Sequence, residues 1–119
     1  MGDLLRQASQ WLEQQRAAHC SSPVTYRRGE VEAVVNATFA RTQYEVEDEF
    51  GLRLGAHATD FLILADELAP VFGEPQAGDR IVADGAVFEV MPLAGQGHWR
   101  WSDPYRQTMR IHTKEVGSA

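Results

Sequence analysis

Gly78-Asp79-Arg80-Ile81-Val82-Ala83-Asp84-Gly85-Ala86-Val87-Phe88-Glu89-Val90-Met91-Pro92 sets the architecture of the chain. Asp84-Gly85 is a two-residue turn signal between β-forming runs, and a turn of that length fixes the register of the strands it joins. Ala83 then faces Ala86, Val82 faces Val87, Ile81 faces Phe88 and Arg80 faces Glu89. Ile81, Ala83, Phe88 and Val90 share one face. Val82 and Val87 share the other with the opposite-charge pair Arg80 and Glu89. The stretch predicts a hairpin and carries no nucleophile, metal cluster or phosphate loop, so function has to reside elsewhere.

The chain has 119 residues, enough for one domain with a modest core. Hydrophobic residues make up 44% and charged residues 24%, a globular balance. The formal net charge of −6 argues against a nucleic-acid binder, which normally presents a basic field. A single cysteine, Cys20, rules out an internal disulfide and fits a reducing compartment. No apolar run approaches the ~20 residues of a membrane span. Met1-Gly2-Asp3 lacks the basic and apolar regions of a signal peptide, so a protein made in a cytosol is expected.

Upstream of the hairpin, Asp3 to Ala18 predicts a helix capped by Asp3, with Leu4, Leu5, Ala8, Trp11, Leu12 and Ala18 near one stripe. The stripe either packs on the domain's own sheet or docks on a neighbouring subunit. Cys20-Ser21-Ser22-Pro23 ends the helix. Val24 to Arg28 and Val31 to Phe39 predict strands around an Arg28-Gly29-Glu30 turn. The second run alternates cleanly, with Val31, Ala33, Val35, Ala37 and Phe39 on one face. From Gln43 to Gly55 the alternation breaks. Glu45, Glu47, Asp48 and Glu49 form an acidic cluster, expected on a long loop or an extended hairpin tip.

His57 to Leu64 predicts a strand covered on both faces, and Asp60 within it requires a partner if buried. Ala65 to Leu68 predicts a helical turn before Pro70, and residues 72–77 a turn-rich linker. Beyond the hairpin, His98 to Trp101 predicts a short strand, Ser102-Asp103-Pro104-Tyr105 a turn, and Gln107 to Thr113 a last strand with Met109 and Ile111 inward. The expected fold is mainly β: a small antiparallel β-barrel or sandwich of six to seven strands, with one N-terminal α-helix and a long acidic loop. Residues 1–20 form an amphipathic helix or arm, and residues 21–119 the β-barrel domain.

Catalytic and metal chemistry find little support. His19, His57, His98 and His112 have no Cys or His at ligand spacing, although His98 and His112 approach each other if their strands pair. They read as ordinary surface histidines. Cys20 beside His19 lacks the geometry of an activated thiolate. The acidic cluster lacks the buried setting that splits the roles of paired carboxylates, and its spacing does not match a calcium loop. No cofactor is expected. Arg100, Arg106 and Arg110 with Trp99, Trp101 and Tyr105 form the one arginine–aromatic cluster. Such residues suit a protein–protein contact, a single-stranded nucleic-acid site or the closing of a barrel end.

Arg100-Trp101-Ser102-Asp103-Pro104-Tyr105-Arg106 followed by Arg110-Ile111-His112-Thr113-Lys114 resembles the C-terminal end of small proteins encoded in head-assembly regions of tailed phages and prophages. Ser22-Pro23-Val24-Thr25-Tyr26-Arg27-Arg28-Gly29, Asp60-Phe61-Leu62-Ile63 and the Gly78-Asp79 hairpin are similar to the same group, so the resemblance runs from Leu4 to Val116. It implies a head–tail joining, head-completion or stopper protein: a small barrel with long loops and a helix, not an enzyme. The implied place is the virion neck, after assembly in the bacterial host cytoplasm. The implied partners are further copies in a hexameric or dodecameric ring, the portal or adaptor protein, and the tail tube or tail terminator. Double-stranded DNA passes through without specific binding, and no membrane is involved. On this reading Glu45, Glu47, Asp48 and Glu49 face the channel or an adjacent ring. Leu5, Trp11, Leu12, Trp99, Arg100, Trp101, Tyr105 and Arg106 make subunit or partner contacts. The alternatives are a tail-terminator or tail-side adaptor, and a small-barrel single-stranded nucleic-acid binder using Arg100, Trp101 and Arg106.

Overall fold

The computed structural model describes the backbone of residues 2–47, 53–93 and 97–118, and the side chains of 3–12, 21–40, 58–93 and 97–118. Among these residues, α1 (Gly2–Cys20) precedes β1 (Ser22–Arg28), β2 (Val31–Glu47) and β3 (Arg53–Leu64), a three-strand antiparallel meander. A one-turn helix, α2 (Ala65–Leu68), and a turn-rich crossing lead to the hairpin β4 (Arg80–Ala83) and β5 (Ala86–Val90). β6 (Trp99–Trp101) and β7 (Thr108–Ser118) finish the chain. β4 pairs with β1, while β7 pairs with β5 on one edge and β3 on the other. Six strands therefore close in the order β3-β2-β1-β4-β5-β7, and β6 is an extra strand on β7. Closure removes the free edges that an open sheet of this size would carry.

The central hairpin has the register its turn dictates: Ala83↔Ala86, Val82↔Val87, Ile81↔Phe88 and Arg80↔Glu89. Asp84 (φ 50°) and Gly85 (φ 76°) both lie in the left-handed region required by a type I′ turn. Arg80 and Glu89 approach to 3.9 Å on the outer face. The inner face supplies Ile81, Ala83 and Val90 to a core shared with Val24, Tyr26, Val35, Ala37, Phe61, Ile63, Met109 and Ile111. Every one of these residues falls on the inward alternation of its strand, so the barrel interior is filled by side chains and is not a pore. Leu68 of α2 plugs one end of this core. α2 is tied down by Asn36 Nδ2 donating to Glu67 Oε1 (3.1 Å) and Ala65 N–H donating to the Gln107 carbonyl (2.9 Å).

The structure decides between the two forms expected at one place and departs from the sequence expectation at two others. Of the two forms expected for Gln43–Gly55, the extended hairpin is the one built: the β2–β3 ladder continues pair by pair to Glu47↔Arg53. Glu45 and Glu47 therefore stand on strand backbone, while Asp48 and Glu49 lie outside the described residues. The last strand also runs five residues past Thr113, to Ser118, because β5 offers an edge there after β3 has left it. Finally, His112 is not a surface histidine. It points away from the Met109–Ile111 face as its alternation requires, yet it is fully buried.

Candidate partner-docking surface

α1 follows from its sequence: few β-branched residues, Asp3 in the first turn, and an apolar repeat at helical spacing. Its large described members face solvent: Leu4, Leu5, Trp11 and Leu12 are 69%, 63%, 58% and 60% exposed. Among the described side chains of the helix, Arg6 and Gln10 are placed against the rest of the chain. The Arg6 guanidinium lies 5.8 Å from the centroid of the Tyr105 ring. Gln10 lines a small cleft with Leu64, Ala65, Asp66, Arg106 and Gln107. At about 100° per residue Arg6 and Gln10 stand on the side of α1 opposite the Leu4, Leu5, Trp11 and Leu12 stripe, so the helix meets the arginine–aromatic turn through its polar side and the stripe faces away from it.

Asp103 organises that turn. Its carboxylate accepts from the backbone N–H groups of Tyr105 (3.2 Å), Gln107 (2.9 Å) and Thr108 (2.8 Å). Ser102 N–H donates to the Thr108 carbonyl at 2.8 Å and closes the loop. The loop forces Arg106 to φ 58°, unusual for a side chain larger than glycine. Arg100 and Arg106 are exposed, and Tyr105 is half-buried beneath Arg6. Trp99 and Trp101 pair with Ile111 and Met109, so they lie on the inner face of β7 and pack against the core. Their rings meet edge to face, with centroids 5.1 Å apart. Of the expected contact residues, Leu5, Trp11, Leu12, Arg100 and Arg106 thus face solvent, and the two tryptophans serve largely as a lid on the core.

Two polar clusters escaped the sequence reading. In one, Asp60 of β3 is fully buried and accepts from Arg110 Nε at 2.6 Å and from His112 Nδ1 at 2.9 Å. Asp60↔His112 and Leu62↔Arg110 are successive pairs on one face of the β3–β7 ladder, with Phe61↔Ile111 between them on the other, so register brings the three together. His112 Nε2 is buried without a hydrogen-bond partner. The need for a partner was readable from Asp60; which residues supplied it depended on a pairing about 50 residues away in sequence.

In the other cluster, Arg28 of β1 grips Asp79 with Nε and a terminal nitrogen, both at 2.9 Å, and donates to the carbonyls of Phe72 and Glu74. Tyr26 donates its hydroxyl to Asp79 at 2.5 Å, and Gln76 N–H donates to the same carboxylate. Burial by itself pushes the Asp79 carboxyl up. The Arg28 fork, the Tyr26 hydroxyl and the Gln76 N–H outweigh it and hold the group below the ordinary carboxylate range. Burial, reinforced by Asp79, pushes the Tyr26 hydroxyl well above its ordinary value. The cluster pins the crossing between α2 and β4 to the end of β1.

Among the described residues no group of three or more His, Cys, Asp or Glu is placed to hold a metal ion. His98 and His112 are joined through backbone, His112 N–H to the His98 carbonyl at 2.9 Å, while His98 Nε2 meets the Pro75 carbonyl. No described helix is long and apolar enough to cross a membrane.

A comparison with curated proteins finds no match to the chain. Residues 2–119 match a family described as phage head-tail joining protein, one whose members are structural rather than catalytic. A small closed barrel with a helix held beside it, matched over nearly its whole length, belongs to the phage head-tail joining protein family.

Proposed function

We propose that this chain is a ring-forming subunit of the phage neck, joining the portal side of the head to the tail around the DNA channel. The observation that carries the reading is the α1 stripe. Four large apolar side chains on the outward side of α1 are more than half exposed, and such a patch suits a protein partner. Residues 1–20 act as the docking arm and residues 21–119 as the barrel that positions it. A ring requires head-to-tail contacts in which one surface meets a different one on the next copy. The α1 stripe offers one such surface and the exposed arginines beside the 102–107 turn another, each with its complement on the next subunit or on the portal. Leu5, Trp11, Leu12, Arg100 and Arg106 make the contact, with Tyr105 holding Arg6 and the tryptophans supporting the turn.

Acidity suits a protein beside a DNA path. A net charge of −6 offers few phosphate contacts and releases few condensed counterions, so DNA passes without being gripped. Glu45, Glu47, Asp48 and Glu49 face the channel or an adjacent ring on this reading. Trp99 and Trp101 meet edge to face and turn toward the core, which does not favour the stacking platform of a single-stranded nucleic-acid binder. The test is complementation of a phage lacking the protein. Trp11→Ser with Leu12→Ser is expected to give folded protein and tailless or DNA-leaking heads. Normal infectious yield from that variant would remove the stripe from the account.

A further inference from the structure

The outer face of the barrel carries a row of charges that crosses five strands. Glu32↔Arg27, Arg27↔Arg80, Arg80↔Glu89 and Glu89↔Lys114 are successive register pairs. Its centre places two arginines directly opposite each other on neighbouring strands, an arrangement that like-charge repulsion disfavours. Each has a glutamate only on its far side: Arg27 Nε donates to Glu32 at 2.9 Å, and Arg80 approaches Glu89 no closer than 3.9 Å. Their side chains are 39% and 49% exposed. Between them opens a cleft of about 280 Å³ lined by Arg27, Gly29, Gly78 and Arg80. Gly29 and Gly78 sit at φ 61° and 94° on its rim, and a Cβ on either would meet nothing within 4 Å. Two part-free guanidinium groups on an open rim fit a carboxylate, which each would meet with paired N–H donors.

We infer that this arginine cleft receives the acidic tip of the β2–β3 hairpin from a second copy of the chain. Arg27 lies opposite Glu32 near the start of β2, whereas Glu45 and Glu47 lie at its far end, with Asp48 and Glu49 next in sequence. About 15 residues of strand at ~3.3 Å each put the two ends roughly 50 Å apart, in keeping with a longest dimension of 51 Å. The tip cannot reach its own cleft, so the two charges can meet only between molecules. Complementary charge at opposite ends of one strand makes a head-to-tail contact, the kind that closes a ring or builds a stack of copies. A duplex would offer phosphates to the same arginines, but the −6 charge of the chain repels it.

This inference deepens the ring reading and is separable from it. The full chain, isotope-labelled, is titrated with a synthetic peptide of residues 43–55 and, separately, with a DNA duplex. The peptide is expected to shift the backbone signals of Arg27, Gly29, Gly78 and Arg80, more weakly as salt rises. Arg27→Glu with Arg80→Glu should weaken binding at least tenfold. Arg27→Gln with Arg80→Gln, milder toward folding, should weaken it in the same direction. The duplex should leave these signals unmoved. No shift with peptide, shifts unaffected by either double variant, or shifts produced by the duplex would each overturn the inference. Assembly of the charge-reversed chain identical to wild type, rings and stacks alike, would overturn it while leaving the ring reading intact. A chain that takes the peptide but forms no ring with or without portal contradicts the ring reading alone.

Discussion

Asp60 on β3 and His112 on β7 are direct cross-strand partners whose side chains meet at 2.9 Å with both residues wholly removed from solvent. The pair sits on the face opposite the apolar core, and Arg110 completes it from the next outward position of β7. The seam that closes the barrel is therefore fastened twice, by the ladder and by this cluster.

Removing the carboxylate should open that seam. Asp60→Ala removes the acceptor of the buried His112 Nδ1–H and of Arg110 Nε, at a cost of about 3–5 kcal/mol. Denaturant unfolding of the variant against the wild-type chain measures it. A loss below about 1 kcal/mol would mean that the cluster does not hold the seam.

Acid should weaken the fold through Asp79. Its carboxyl is held below the ordinary range in the folded chain, so folding is favoured wherever the unfolded group, with a pKa of about 3.9, is ionised. That contribution is complete above the unfolded value and is lost as pH falls from about 4 through the lowered folded value. Asp79→Asn is expected to be less stable at pH 7 and to lose less on acidification than wild type. Unfolding midpoints recorded at several pH values between neutrality and about 2 check both halves of the statement.

The turn at Asp103 should behave as a local unit. Asp103→Ala strands three backbone N–H donors and is expected to cost about 1–3 kcal/mol. It should also raise amide exchange across residues 102–108, with the β4–β5 hairpin unaffected. Protection unchanged in that segment would assign the loop geometry to some other contact.

At the central hairpin, Gly85→Val is expected to destabilise by about 1–2 kcal/mol, since a β-branched residue is strained at φ 76°. Thermal unfolding reports it. A neutral result would show that the turn can adopt another form without disturbing the register.

How far the sequence led depended on distance along the chain. The Asp84-Gly85 hairpin was legible to the residue, because turn chemistry fixes the register locally. The alternation of Val31–Ala37 gave the inner face of β2 for the same local reason. The continuation of β2 to Glu47 was not, because acidic residues of poor β propensity mask a strand whose order comes from its partner β3. Alternation also predicted which way His112 points but not that its face is covered, since covering depends on tertiary packing. Arg28 and Asp79 lie 51 residues apart, and no local pattern links them. On the docking surface, Leu5, Trp11 and Leu12 could be placed on one helical stripe. The closeness of Arg6 and Gln10, on the other side of that helix, to Tyr105 and Arg106 emerged only from the fold.

The mass of the full chain in solution, alone and then with its portal ring, separates a neck ring from a solitary barrel. A closed ring of identical subunits is expected, formed by the chain alone or on the portal, and weakened by Trp11→Ser with Leu12→Ser. A chain that stays monomeric in both conditions would contradict it.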